Sequence, residues 1–362
     1  MPSRRRPLPA RLAALLAAAL LAGCGVVPGL GERDPDGQRG IGAGFGEPGV
    51  VASGLEAPWG LAFLPDGGAL VSERDSGRIL RVGPGAEPRA VATVPGVAPG
   101  GEGGLLGLAL SPEFARDQLV YAYFSADGDN RIVRFRLGGG PVEVLLAGIP
   151  RAGIHNGGRI AFGPDGLLYA GTGDAAERST AQDPGSLGGK ILRLEPDGDV
   201  PPDNPDPASP VWSLGHRNVQ GLAWDGQRRL FATEFGQNRV DEVNRIERGG
   251  NYGWPEVEGT GGGDRFRDPL VTWPTAQASP SGAAIGGDTL YVAALRGERL
   301  WTVPLDGAGG VGRPQAVLAG AYGRLRHAAV AADGALWVLT SNRDGRGDPA
   351  DADDRVLRFP PA

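Results

Sequence analysis

The 362-residue chain has one cysteine, one methionine and three histidines, and Lys190 is its one lysine. With Cys24 as the sole cysteine, no internal disulfide framework can form, so the fold must rest on its core or on bound ions. The formal charge of −6 offers no general pull toward nucleic acid or anionic lipid. The basic residues are almost all arginine, a compositional bias that makes a lone arginine weak evidence of function. Long apolar runs are also scarce. The run Leu12 to Leu21 is too short to span a bilayer as a stop-transfer helix.

Glycine and proline are abundant, at 63 and 32 residues, a level that often accompanies disorder. Disorder is excluded here because 41% of the chain is hydrophobic and the glycines fall between short apolar runs. Met1 to Cys24 is laid out as a secretion signal: Arg4-Arg5-Arg6, the apolar run, then Leu21-Ala22-Gly23-Cys24. A cysteine after small residues marks where a bacterial lipoprotein is cleaved and lipidated. Cys24 is therefore expected to anchor the protein to the outer side of the cell membrane; an ordinary signal peptide with a chance cysteine is the alternative. Ser3-Arg4-Arg5 suggests twin-arginine export, but Pro7 stands where a bulky apolar residue is expected, which leaves the export route open. Residues 25–48 read as a flexible tether and residues 49–362 as a single domain.

The domain repeats. Six segments share an apolar triplet, a turn, a second apolar strand, another turn and a third strand. Leu61-Ala62-Phe63, Pro65-Asp66-Gly67, Ala69-Leu70-Val71 and Arg78 to Val82 make the first; Ile160-Ala161-Phe162, Pro164-Asp165-Gly166, Leu167 to Gly171 and Lys190 to Leu194 make the third. With Leu61, Leu108, Ile160, Leu222, Ala283 and Ala328 as equivalents, the steps are 47, 52, 62, 61 and 45 residues. Strand-and-turn repeats of that length specify an all-β, six-bladed β-propeller with four antiparallel strands per blade. The sixth repeat ends after its third strand. Gly49 to Ser53, ahead of the first repeat, can supply the missing one and close the ring.

A propeller does not by itself fix a function. Ligands sit where loops leading into the inner strands converge, and the unusual residues fall there. Glu102 lies in Gly101 to Gly107, His155 in His155-Asn156-Gly157-Gly158-Arg159, Arg217 and Asn218 in Gly215-His216-Arg217-Asn218, and Arg324 and Arg326 in Arg324-Leu325-Arg326-His327. Equivalent positions in successive blades are neighbours, so these motifs should meet. A histidine followed by glycines suits general-base chemistry near neutral pH, with a structural histidine bonded to a loop carbonyl as the alternative. Asp174, in Gly171-Thr172-Gly173-Asp174, can orient that imidazole or cap a strand end. Arg217, Arg324, Arg326 and Arg296 can ring a ligand bearing several carboxylates. Gly236-Gln237-Asn238 reads as a tight turn exposing backbone carbonyls. Asp241, Glu242 and Tyr252 add hard oxygen donors of the kind Ca2+ selects, although such residues are also ordinary solvated-loop chemistry. The acidic loop Asp344, Asp348, Asp351, Asp353 and Asp354 is open in the same way. His216 and His327 read as structural, and Trp212, Trp224, Trp254 and Trp273 as blade packing.

As a set, the motifs resemble the soluble glucose/sorbosone dehydrogenase family, the aldose sugar dehydrogenases that use pyrroloquinoline quinone (PQQ). The pieces that carry this are Ala57-Pro58-Trp59-Gly60-Leu61-Ala62-Phe63, Glu102-Gly103-Gly104-Leu105-Leu106-Gly107, the His155 and Arg217 motifs, and Gly249-Gly250-Asn251-Tyr252-Gly253-Trp254-Pro255. The likeness runs from about Gly54 to Phe359. It implies oxidation of an aldose at its anomeric carbon to a lactone, with His155 as the base, Asp174 as its orienting partner and Arg217 near the reacting carbonyl. It implies that Gly236 and Gln237 offer carbonyls to a Ca2+ that also holds PQQ. Glu102, Arg217, Asn218, Arg296, Arg324 and Arg326 would contact the cofactor, while Asp241, Glu242 and Tyr252 would ligate a second, structural Ca2+. Glu102 stands where some members have glutamine, Arg296 where the family has lysine, and the aromatic substrate lid of some members has no counterpart around Ala276 to Gly282. The sugar and the electron acceptor stay open. The alternatives are a calcium-binding propeller lipoprotein that has lost turnover and serves as a surface binding module, and a calcium-dependent lactone hydrolase. The latter would need carboxylates converging on one axial ion, whereas arginines dominate this mouth.

Overall fold

The structure, a computed structural model, describes residues 45–361. The expected signal peptide, Cys24 and residues 25–44 of the tether lie outside the described residues.

Among the described residues, the strands form six antiparallel sheets of four strands each. Blades 1 to 5 occupy residues 58–93, 105–149, 160–214, 219–274 and 280–317, each sheet running in chain order from inner to outer strand. Blade 6 takes its inner three strands from residues 325–359 and its outer strand from Gly49–Ala52. Val50 pairs with Leu357 and Ala52 with Val356, so the N-terminal strand closes the ring as the repeat count required. The pairing reaches further back, because Phe45 bridges Pro361 and its ring lies edge-on to Tyr291 in blade 5.

Alternation along the strands explains the ring. Side chains on successive residues point to opposite faces, and each middle strand is buried on both. In Ala69–Glu73, Leu70 joins a cluster with Leu108, Val120 and Val133 of blade 2, while Ala69 and Val71 join Trp337, Leu339 and Val356 of blade 6. Each neighbouring pair of blades shares such a cluster. At about 25 cal/mol per Å² of apolar surface removed from water, these interfaces are the fold's main stabilising term. No disulfide is needed. The outer strands are partly exposed: Val211–Leu214 and Gln315–Val317 are short, while Ala86–Thr93 and Glu143–Ile149 are longer but open to solvent along much of their length.

Candidate active site

His155 and Asp174 leave blade 3 from adjacent loops, one leading into the inner strand Ile160–Phe162 and one leaving the second strand Leu168–Gly171. Gly173 lets them meet, since a Cβ there would collide with the His155 carbonyl. His155 adopts φ +57°, a left-handed conformation that non-glycine residues rarely hold and that gathers at functional sites. Its Nδ1 lies 2.7 Å from Asp174 Oδ1. The Ala176 N–H also donates to Oδ1, and the Trp254 indole Nε1–H donates to Oδ2 at 2.8 Å. Burial works against the Asp174 charge, but His155, Trp254 and Ala176 outweigh it and hold the carboxyl below its usual range. An ionised Asp174 makes Nδ1 the protonated nitrogen of a neutral imidazole, which leaves Nε2 with the lone pair. Glu102 accepts the His155 backbone N–H at 2.9 Å and an Arg346 N–H at 2.7 Å. Those bonds keep Glu102 ionised despite burial.

Arg217 and Asn218 enter the inner strand of blade 4, Val219–Trp224. The Arg217 backbone N–H donates to Glu234, one of its Nη groups donates to the Phe235 carbonyl, and its guanidinium lies 5.4 Å from the Trp254 ring centre. Asn218 Oδ1 accepts the Gly157 N–H, tying the Arg217 and His155 motifs together. Across the mouth, Arg324 and Arg326 both donate to Asp344 Oδ2, at 2.9 and 3.3 Å. Asp344, grouped with a solvated or calcium-binding loop on sequence grounds, is in fact buried between these arginines. Arg326 and Asp344 share a small cavity with Glu102, Arg74, Arg346 and Phe235. Arg296 stands exposed beside Leu295, which lines the same cavity. Arg217 Nε, Arg326 Nε and Asn218 Nδ2 are buried without a hydrogen-bond partner among the described residues. Arg326, with its unpaired buried Nε, lines the arginine-rich cavity, while Arg217 lines a second one with Glu242 and Tyr252; such unmet donors fit a ligand that carries carboxylates.

The turn 236–240 has one organising contact. The backbone N–H groups of Gln237, Asn238, Arg239 and Val240 all donate to Glu258 Oε1, at 2.7 to 3.3 Å. The Gly236 and Gln237 carbonyls accept no hydrogen bond from the described residues, and such free, hard oxygens fit a cation like Ca2+. The second expected ion finds a mixed set. Asp241 uses one oxygen for the Gly236 N–H and the other for the Ser279 N–H. The Tyr252 hydroxyl donates to the Arg245 carbonyl and accepts from the Glu247 N–H. Glu242 also has both oxygens engaged, Oε1 by the Gly259 N–H at 2.7 Å and Oε2 by the Asn244 side-chain amide at 3.0 Å. It faces Glu234 directly across the ladder, and the two line one small cavity with Tyr252 and Glu258. Burial first, and Glu234 next, raise the Glu242 carboxyl to about 8, as expected where two acids wait for a cation. Among the described residues, no three acidic, histidine or cysteine side chains cluster as a ready metal cage.

The glucose/sorbosone dehydrogenase family model matches residues 55–348, well over half of the chain. The chain belongs to the glucose/sorbosone dehydrogenase family. That membership makes it an oxidoreductase acting on sugar CH–OH groups. It is similar to the PQQ-bound aldose sugar dehydrogenase of Streptomyces coelicolor, at 54% identity and a TM-score of 0.84, covering 87% of this chain and 97% of that one. It is also 29% identical over 335 residues to the aldose sugar dehydrogenase YliI of Escherichia coli K12, covering 82% of this chain and 90% of that one. Quinoprotein glucose dehydrogenase B of Acinetobacter calcoaceticus is 35% identical over 253 residues, covering 58% of this chain and 52% of that one.

Within this family member, sequence reasoning missed Trp254 as the second holder of Asp174, Glu258 beneath the carbonyl turn, and Glu234 opposite Glu242. Trp254 sat in a family motif but read as packing, because nothing in its local spacing points eighty residues back to Asp174. His216 matches its structural reading: it is fully buried, bonded to Ser213 at 2.9 Å and stacked on Tyr252.

Proposed function

We propose that the protein oxidises aldoses at the anomeric carbon to lactones with PQQ and Ca2+, and that His155 is the base. The observation that carries this is the His155–Asp174–Trp254 chain. It holds the imidazole in one orientation with the protonated nitrogen turned toward Asp174. Nε2 then takes the proton of the anomeric hydroxyl, the C1 hydrogen leaves with its electron pair, and C1 becomes the carbonyl carbon of the lactone. PQQ, when bound, supplies the acceptor for that hydride equivalent. Arg324, Arg326 and Arg296 would pair its carboxylates, while Arg217, Asn218 and Glu102 would line its other edge. The Gly236 and Gln237 carbonyls would hold a Ca2+ whose contribution is Lewis-acid polarisation. As the imidazole becomes cationic, the buried Asp174 carboxylate at 2.7 Å stabilises the charge that develops. Lipid anchoring through Cys24 completes the reading and makes this an extracytoplasmic enzyme. The first test reconstitutes the domain from residue 45 onward with Ca2+ and PQQ and follows dye reduction across a panel of aldoses. Cofactor-dependent reduction is expected; tight PQQ binding without turnover of any aldose would overturn the assignment.

A further inference from the structure

Lys190 begins the third strand of blade 3, Lys190–Leu194, and is fully buried. Its Nζ donates to the carbonyl oxygens of Thr180 at 2.6 Å, Gly188 at 2.7 Å and Ala181 at 3.1 Å. Three carbonyls use all three N–H groups of an ammonium. Every other one of the 36 Lys and Arg positions in the chain is arginine. A guanidinium spreads its donors across a rigid plane and cannot converge on three oxygens around a point, whereas an ammonium can. The one departure from arginine therefore falls where only the point charge fits. Burial lowers the Lys190 ammonium to about 8 and Asp183 opposes that fall, so the group stays charged at neutral pH.

The oxygens it gathers belong to the loop that carries Asp174. The Thr180 hydroxyl lies 3.4 Å from the Asp174 carbonyl, and the Gly189 N–H donates to the Gly173 carbonyl at 2.9 Å. Next to Ala181, the Gln182 side-chain amide donates to the Trp254 carbonyl at 2.7 Å and exchanges hydrogen bonds with Asn251. The backbone of Asp174 and the tryptophan on its far oxygen thus both refer back to one internal cation. We propose that Lys190 is a positioning residue for the His155–Asp174 pair, fastening the Asp174 loop and Trp254 so that the carboxylate keeps its aim on the imidazole. This rests on His155 being the base.

The test compares wild type, Lys190→Met, Lys190→Arg and Gln182→Ala, each full domain loaded with Ca2+ and PQQ. Two readouts are taken: kcat and KM for an accepted aldose, and hydrogen exchange of the Trp254 indole N–H by NMR. Lys190→Met should lower kcat at least tenfold with little change in KM and speed indole exchange at least tenfold, and Lys190→Arg should not restore either. Gln182→Ala leaves the ammonium and its three carbonyls in place yet cuts the link to Trp254, so it should move both readouts the same way by less. Lys190→Met that melts earlier but keeps wild-type kcat and indole exchange would overturn the proposal. Should the Lys190 variants not fold, Gln182→Ala with both readouts unchanged would do the same. A wild type that oxidises no aldose removes the base assignment instead, and the exchange comparison still decides whether Lys190 holds Trp254 on Asp174.

Discussion

Asp174 accepts three donors with two oxygens: the His155 Nδ1–H and the Ala176 N–H on Oδ1, and the Trp254 Nε1–H on Oδ2. Replacing it with asparagine keeps the shape but leaves a single acceptor. With the amide oxygen toward His155, the NH2 group faces the Trp254 N–H, two buried donors in opposition. With the oxygen toward Trp254, the NH2 group faces Ala176 and His155, and the imidazole must carry its proton on Nε2, where it cannot act as base. Asp174→Asn should therefore lose about 10⁴-fold in kcat, the scale seen when the orienting carboxylate of a catalytic triad becomes an amide. The informative variant is the double one. Trp254→Phe removes the donor that opposes the correct amide orientation, so Asp174→Asn/Trp254→Phe should turn over faster than Asp174→Asn alone. An unsatisfied buried donor costs about 1–3 kcal/mol. At roughly 1.36 kcal/mol per tenfold in rate, the recovery should be about 5- to 150-fold. It stays short of wild type because the charge is not restored. Trp254→Phe alone should lower kcat, since it strips one hydrogen bond from an ionised carboxylate. The assay is dye-coupled kcat with saturating PQQ and Ca2+ on all four proteins. A double variant no faster than Asp174→Asn would refute the reasoning, because it would mean that Trp254 does not set the acid's orientation.

Three further outcomes follow from the same geometry. His155→Ala should bind PQQ as wild type does by absorbance titration while kcat falls about 10²- to 10⁴-fold, the usual contribution of a positioned base; unchanged turnover would remove His155 from that role. Glu258→Ala frees the four N–H groups of the 236–240 turn, so its carbonyls lose their fixed direction. Calorimetry should then show Ca2+ affinity at least tenfold weaker, and equal affinity would mean that the turn holds itself. The Glu242 carboxyl, raised by burial and Glu234 to about 8, binds protons that the unfolded chain has released above about pH 4.3. Stability of the metal-free protein should therefore fall as pH rises from about 4.3 toward 8. Ca2+, which takes the ionised carboxylate, should flatten that fall and raise the melting temperature; a pH profile of melting that ignores chelator would count against an ion at Glu242.

Much of this was legible in the sequence because it is written locally. The triplet-turn-strand repeat set the blade number, and the sixth repeat's missing strand pointed to Gly49 to Ser53, of which Gly49–Ala52 pairs. The outer strands were harder to see, since Gln315–Val317 is short, exposed and buries too little to alternate. His155, Asp174 and Arg217 stood out because glycines flank them at strand ends. Their supports did not. Trp254 on Asp174, Glu258 under the carbonyl turn and Asp344 between Arg324 and Arg326 are contacts between distant segments, and one-dimensional spacing carries no sign of them. Tyr252 shows a further limit: in the sequence it offers two oxygens, and the structure holds its hydroxyl to the backbone at Arg245 and Glu247.

The pairing of Val50 with Leu357 has a consequence for how this molecule comes apart and together. Five blades are built from continuous stretches of chain, and their contacts are local enough to form early. The sixth requires residues 49–52 to reach residues 356–358, the longest loop closure among the sheet pairings. Until that seam zips, the blade 6–blade 1 cluster around Trp337 and Val71 lacks Val51 and Ala52, which the N-terminal strand brings to it. Fraying at the N-terminal end has its own consequence. A strand lost at the N-terminal end leaves Val356–Phe359 paired only with Leu336–Thr340 and turns it into an exposed edge open to other strands.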